Sequence, residues 1–155
     1  MSTRCMIGLY ENEEQAIETP DVLLYRHCDG YPGHPIDKDE YGILTDIVPF
    51  LRAFNSRRGL DDTMYLGAWL MWWLINGHVE RLEEKDCLGH GICKPGRFHG
   101  DIEWYYRING VECTIEVFRT PFDSTPKSWS RVETFNVADP VFDNFRTETA
   151  EEINK

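Results

Sequence analysis

The sequence predicts an α+β domain in which an antiparallel sheet carries two central helices on one of its faces. Two short alternating stretches near the N-terminus and a longer pair, IEWYYRI and VECTIEV, flanking Asn109-Gly110 in the C-terminal half, supply the strands. Between them lie two segments whose apolar residues recur at helical spacing.

Arg4 to Tyr10 and Val22 to His27 are predicted strands, separated by the acidic segment ENEEQAIETPD, with Pro20 closing it. The DGYPGHP stretch follows directly, and its Gly and Pro residues mark a turn. A first helix is expected from Thr45 or Asp46 as its cap, with Ile47, Val48, Leu51 and Phe54 on one face, Pro49 in the first turn and Gly59 at the end. A second runs from the Asp61-Asp62 cap to Asn76-Gly77. Its Trp69, Trp72 and Trp73 stand at i, i+3 and i+4, and core packing is expected of them because helices ordinarily bury such a face.

Asn109-Gly110 is the favoured pair for a two-residue type I′ hairpin turn. That register sets Ile108 against Val111, Tyr106 against Cys113, Trp104 against Ile115 and Ile102 against Val117 on the core face. The other face then pairs Arg107 with Glu112, Tyr105 with Thr114, and Glu103 with Glu116, with Asp101 one step further. TPFDSTPKSW is a loop and RVETFNV, from Arg131, a further strand. One domain is expected over residues 1–140, followed by a polar, frayed tail over 141–155.

Whole-chain properties narrow the function. Sixteen Lys and Arg against twenty-seven Asp and Glu leave a net charge of -11 on 155 residues. A nucleic-acid backbone would be repelled, and no basic patch offsets this, so direct nucleic-acid binding is not expected. The same charge admits an acidic mimic of DNA that inhibits a nucleic-acid-binding host protein, although the acids are dispersed and form no runs. Five cysteines and an N-terminus with neither a basic start nor a long apolar stretch fit a cytoplasmic protein with reduced thiols. The twelve apolar residues from Met64 to Ile75 are too few to span a bilayer, so no membrane is expected as a partner.

Two constellations carry possible chemistry. Glu103 opposite Glu116, with Asp101 nearby, would need compensation by a metal, a base, a shared proton or water. His99 joins Asp101 and Glu103 on that face if the strand begins early, and mixed imidazole and carboxylate ligands suit a divalent metal. In CLGHGICKPGRFH, Cys87, His90, Cys93 and His99 have the residue types of a tetrahedral zinc site but not a standard finger spacing. Cys28 has no convergent histidine beside it, since adjacent strand residues point apart.

The pieces STR (Ser2 to Arg4), YRHCDGYP (Tyr25 to Pro32) and HGDIEWYY (His99 to Tyr106) resemble a family of small, uncharacterised proteins of bacteria and their phages, which carry a Y-x-H-x-DGYP stretch and a later HGD followed by glutamate and tyrosines. Trp104 stands where that family has tyrosine. The resemblance implies no activity. It implies that His27, Asp29 and Tyr31 belong with His99, Asp101 and Glu103, the second strand pairing near the hairpin, and it suggests a phage or mobile-element setting.

The expectation is therefore a non-enzymatic binding protein that engages a small ligand or a host protein through the DGYP and HGD region, with Tyr105 and Glu116 as further lining residues. The alternative is a metal-dependent hydrolase or nuclease using His27, Asp29, His99, Asp101 and Glu103, in which a divalent metal activates water.

Overall fold

A computed structural model describes residues 3–37, 41–76 and 89–145. Six strands form one sheet in the order β3-β2-β1-β4-β5-β6: β1 (Cys5–Tyr10), β2 (Val22–Arg26), β3 (His90–Cys93), β4 (Trp104–Asn109), β5 (Thr114–Arg119) and β6 (Ser130–Asn136). Helices α1 (Ile43–Arg57) and α2 (Thr63–Asn76) lie between β2 and β3 in sequence. The α+β class, the hairpin and the helical pair are as the sequence predicts. Neighbouring strands are antiparallel, with one departure: β1 and β4 run parallel at the centre, so the sheet is mixed. A four-residue edge strand, β3, is formed by the HGIC stretch, for which no strand was expected from the sequence.

Alternation along the strands sorts the side chains onto two faces. Ile7, Leu9, Leu24, Tyr106, Ile108, Ile115 and Val117 are buried against Ile43, Ile47 and Leu51 of α1 and Leu66, Leu70 and Leu74 of α2. Burying each such aliphatic side chain contributes about 1.5–3 kcal/mol relative to exposure, which makes this layer the main source of stability. The opposite face, to which the hairpin pattern assigns Glu103, Tyr105, Arg107 and Glu116, is not only polar. Met6, Tyr10, Leu23, Ile102 and Tyr105 form a second, smaller core there, with Phe118 of β5 and Ile17, Phe98 and Trp129 of the connecting segments packed on it. Ile102 thus belongs to this second core and not to the helical side. Gly8 leaves the room: a Cβ on it would lie 2.8 Å from the Tyr10 ring and collide with the Tyr105 hydroxyl.

The hairpin turn is longer than its Asn-Gly pair implies. Residues 110–113 form the turn, Asn109 is the last strand residue, and Ile108 opposes Ile115 while Tyr106 opposes Val117. Asn109 is held in the ladder because its side chain is buried: Oδ1 accepts from Arg107 Nε at 2.7 Å, and Nδ2 donates to Thr114 and Glu116. Cys113, at φ 56°, takes the left-handed position that closes the turn. Every partner is displaced by four residues, an even number, so from Trp104 onward each strand side chain keeps its predicted face while its neighbour changes. The Glu103–Glu116 opposition is thereby removed, and Glu116 faces Arg107.

α1 starts at Ile43, ahead of the predicted cap, and Pro49 lies inside it. The N–H groups of Ile43 and Leu44 donate to the carbonyls of Tyr31 (2.8 Å) and Pro32 (3.1 Å), so a segment distant from the helix satisfies its first orphan donors. Thr45 Oγ1 accepts from the Gly42 N–H at 3.0 Å and completes the cap. At its other end Gly59, at φ 84°, stops α1 as expected. α2 is capped by Asp62, whose Oδ1 accepts from the Tyr65 N–H. Of its tryptophans only Trp73 follows the core expectation, donating to the Asp46 carbonyl at 2.9 Å and tilting against Phe50; Trp69 and Trp72 are exposed.

The core also continues past residue 140, where a frayed tail was expected. Pro140–Phe145 is a 3-10 helix whose Phe142 is fully buried and edge-on to Phe135 at 5.3 Å. Arg52 secures it through Asp143 and the Asp139 carbonyl. The rest of the predicted tail, 146–155, is outside the described residues.

Candidate functional site

Parallel pairing of β1 and β4 puts both strand beginnings at one end of the sheet, and the antiparallel β2 delivers its last residue to the same end. Three sequence pieces therefore meet there: Thr3-Arg4 before β1, Tyr25 to Pro32 at the end of β2, and His99 to Trp104 leading into β4. The turn in the second piece is tightly built. Gly30 donates to the Thr3 carbonyl at 2.9 Å, accepts from the Tyr106 hydroxyl at 2.7 Å, and has no space for a side chain, since a Cβ would lie 2.8 Å from the Cys5 Cβ. Asp29, in the left-handed region at φ 57°, projects to solvent, and Tyr31 and Pro32 serve as acceptors for α1. The stretch is thus first a structural corner.

His27 and Asp101 do converge, but through an intermediary that sequence reasoning did not assign to the site. Arg4 Nε lies 3.3 Å from His27 Nδ1, and Arg4 NH1 lies 3.4 Å from Asp101 Oδ2. Because a guanidinium only donates, Nδ1 must accept and the His27 ring proton resides on Nε2. The Tyr25 hydroxyl is 2.9 Å from the same nitrogen. Burial, and next the charge of Asp101, raise the ionisation of that hydroxyl above its ordinary value, so it remains neutral. The Tyr25 ring stacks on His99 at 4.5 Å, and His99 Nε2 is 3.4 Å from Cys93 Sγ. The result is a continuous polar chain from Cys93 to Asp101.

The other candidates fall elsewhere. Tyr105 is buried in the second core with its oxygen 2.5 Å from that of Tyr10, whose own hydroxyl donates to the Ile17 carbonyl; burial drives the ionisation of both tyrosines well upward. Glu116 pairs with Arg107 at 3.3 Å and Arg131 at 3.1 Å, on the sheet face away from the helices. For zinc, Cys93 and His99 are adjacent, yet His90 and Cys93 are three residues apart in β3 and point to opposite faces, while Cys87 lies outside the described residues. Burial raises the Cys93 thiol, which opposes the thiolate a metal requires. Among the described residues no three His, Cys, Asp or Glu side chains are grouped to hold an ion. Between His27 and Asp101, where a hydrolytic metal would be held, stands the Arg4 guanidinium.

Beside this chain of contacts opens a cleft of about 450 Å³ lined by Thr3, Arg4, Asp101, Glu103, Arg119, Pro121 and Phe122 together with the buried Ile102 and Thr120. Thr120 donates its hydroxyl to the Ile102 carbonyl at 2.7 Å and its N–H to the Glu103 carbonyl at 3.1 Å. Arg119 lies over the Trp104 ring at 4.8 Å, with NH1 3.5 Å from the Glu103 carbonyl. Among the described residues it forms no ion pair. Phe122 is 83% exposed. Arg119 and Phe122 had no signal in the sequence beyond a polar loop after a strand, because the register that brings them to Glu103 depends on the four-residue turn.

Compared with family models, with curated proteins and with solved structures, the chain matches none. No helix among the described residues is long and apolar enough to cross a membrane.

Proposed function

We propose that the protein is a non-enzymatic binding protein, an accessory factor of the phage or mobile-element kind that its motifs resemble, which holds a small zwitterionic ligand in the cleft at the sheet end. The observation that carries this reading is the juxtaposition of Arg119, a guanidinium without an ion-pair partner among the described residues, with Glu103 and the exposed Phe122 around one cavity. The volume lies in the ordinary range for small-ligand sites. Arg119 suits a carboxylate or phosphate, Glu103 an amine or hydroxyl donor, and the Phe122 ring an apolar stem. Arg4 and Asp101 neutralise each other and shape the wall.

Binding without turnover fits the same groups. The lining offers one carboxylate not already paired among the described residues and no thiol, and burial raises the thiol of Cys5, the residue after Arg4, well above its ordinary value. His27 Nδ1 is committed to Arg4 and Tyr25. An acid–base pair aimed into the cleft is therefore lacking among the described residues.

The test is an amide NMR titration with a panel of amino acids and small phosphorylated metabolites. A hit should saturate, shift the signals of Glu103, Arg119 and Thr120, and leave the ligand intact. Arg119→Ala should weaken it about tenfold or more, the loss expected of a charge-assisted hydrogen bond. Shifts confined to other regions, or conversion of the ligand, would refute the proposal.

A further inference from the structure

α2 carries no Asp, Glu, Lys, Arg or His over its whole length, TMYLGAWLMWWLIN, and its two sides are both apolar. Leu66, Leu70, Met71 and Leu74 enter the main core. On the other side Met64, Tyr65, Trp69, Trp72 and Ile75 are between 36% and 70% exposed. Exposed apolar side chains scattered singly need no explanation, but these form one stripe. Tyr65, Trp69, Trp72 and Asn76 follow each other at steps of four, three and four, the spacing of a helix–helix seam, with Met64, Ala68 and Ile75 alongside. Trp69 and Trp72 already pack edge-on at 5.8 Å, and Arg58 lies 3.7 Å over the Tyr65 ring, so the ridge loses little freedom when it is covered.

We infer that this face is the interface between two copies of the chain, related by a two-fold axis through the middle of α2. The stripe is self-complementary under that operation. With the two helices antiparallel, Trp69 of one copy meets Trp72 of the second, and Ala68 between them leaves room for the indoles. At the observed exposures the five side chains leave roughly 500 Å² uncovered. Two copies would therefore bury roughly 1,000 Å² through them alone, the lower bound for a specific interface. Charge also selects the site: two bodies of net charge -11 repel each other, and an uncharged helix face lets them touch at least electrostatic cost. A lipid surface is a poorer occupant, because an interfacial helix presents Lys or Arg on its polar side, whereas α2 has neither. This dimer leaves the cleft free, since the cleft lies at the sheet end and α2 on the sheet face.

Sedimentation velocity of the full chain between about 5 and about 500 µM tests the inference over the micromolar range such an area supports. The wild type should pass from monomer to dimer, at lower concentration as salt screens the mutual repulsion. Trp69→Glu, at an exposed position, should stay monomeric throughout with an unchanged far-UV spectrum, and Trp72→Glu should do the same. A wild type that stays monomeric across the range, or a dimer that survives both substitutions, overturns it. So does a wild-type monomer that co-floats with phosphatidylcholine vesicles, which would make lipid the occupant.

Discussion

At the scale of single residues, Arg4 organises the sheet end. Its two arms connect His27 and Asp101, which sit on segments that are not neighbours in the sheet, so one side chain replaces the direct contact that the sequence suggested. Both partners of the Asp101 pair are part-exposed, so the pair contributes less than about 1 kcal/mol. Arg4→Ala should leave the thermal midpoint nearly unchanged. Its effect should appear instead in the His27 ring. Imidazole ¹⁵N correlations near neutral pH should show the Nε2–H form in the wild type and a mixture of the two neutral tautomers in Arg4→Ala. An Nδ1–H ring in the wild type would contradict the geometry.

At the scale of elements, the β4–β5 hairpin decides where charge is stabilised. Arg107 is almost fully buried, with Glu116 at 3.3 Å, the Asn12 and Gln15 carbonyls in reach, and its guanidinium 4.0 Å from the Tyr10 ring. Removing the carboxylate leaves that cation poorly compensated. Glu116→Ala should therefore cost about 2 kcal/mol, moderated by the remaining carbonyl acceptors. Glu103→Ala, at the cleft wall, should cost less than about 1 kcal/mol and act on ligand binding instead. Urea denaturation of the two variants checks the contrast, and equal losses would mean that the register assigned to the hairpin is wrong.

The same hairpin shows what was legible in the sequence. Its strands, its core face and the face of each residue from Trp104 onward follow from alternation, because a shift of four residues preserves parity. The turn did not follow, because Asn109 is retained in the strand by buried partners in Arg107, Thr114 and Glu116, which outweigh its turn preference. The early start of α1 was hidden for a related reason: its first donors are satisfied by Tyr31 and Pro32, and no local pattern announces an acceptor that comes from another segment. Of the residues singled out in the sequence, Asp101 and Glu103 line the cleft, while His27 and His99 lie in the contacts beside it. Arg119 and Phe122 were not legible, since only tertiary pairing brings them to Asp101 and Glu103.

At the scale of the whole molecule, two cores sandwich the sheet and remove the Cys5 thiol and the hydroxyls of Tyr10, Tyr105 and Tyr106 from water. Burial pushes the Cys5 thiol up to about 12 from 9.0 and raises the Tyr10, Tyr105 and Tyr106 hydroxyls above theirs. The unfolded chain releases these protons first. Their contribution is therefore complete below about pH 9 and is lost as the pH rises from there through the folded values. Urea midpoints should be level between neutral pH and about pH 9 with respect to these groups, then fall steeply, and Cys5→Ala should lessen the slope near its onset. A midpoint that rises with alkalinity would contradict the burial of these groups.

The central claim is that the sheet-end cleft holds a small molecule. Native mass spectrometry of the protein purified gently from cells, set against its denatured mass, tests it most directly. The wild type should appear as a species heavier than the chain by one small organic molecule, lost in Arg119→Ala and released intact on denaturation. A bare chain mass in the wild type, together with no saturable ligand from the titration panel, would contradict it.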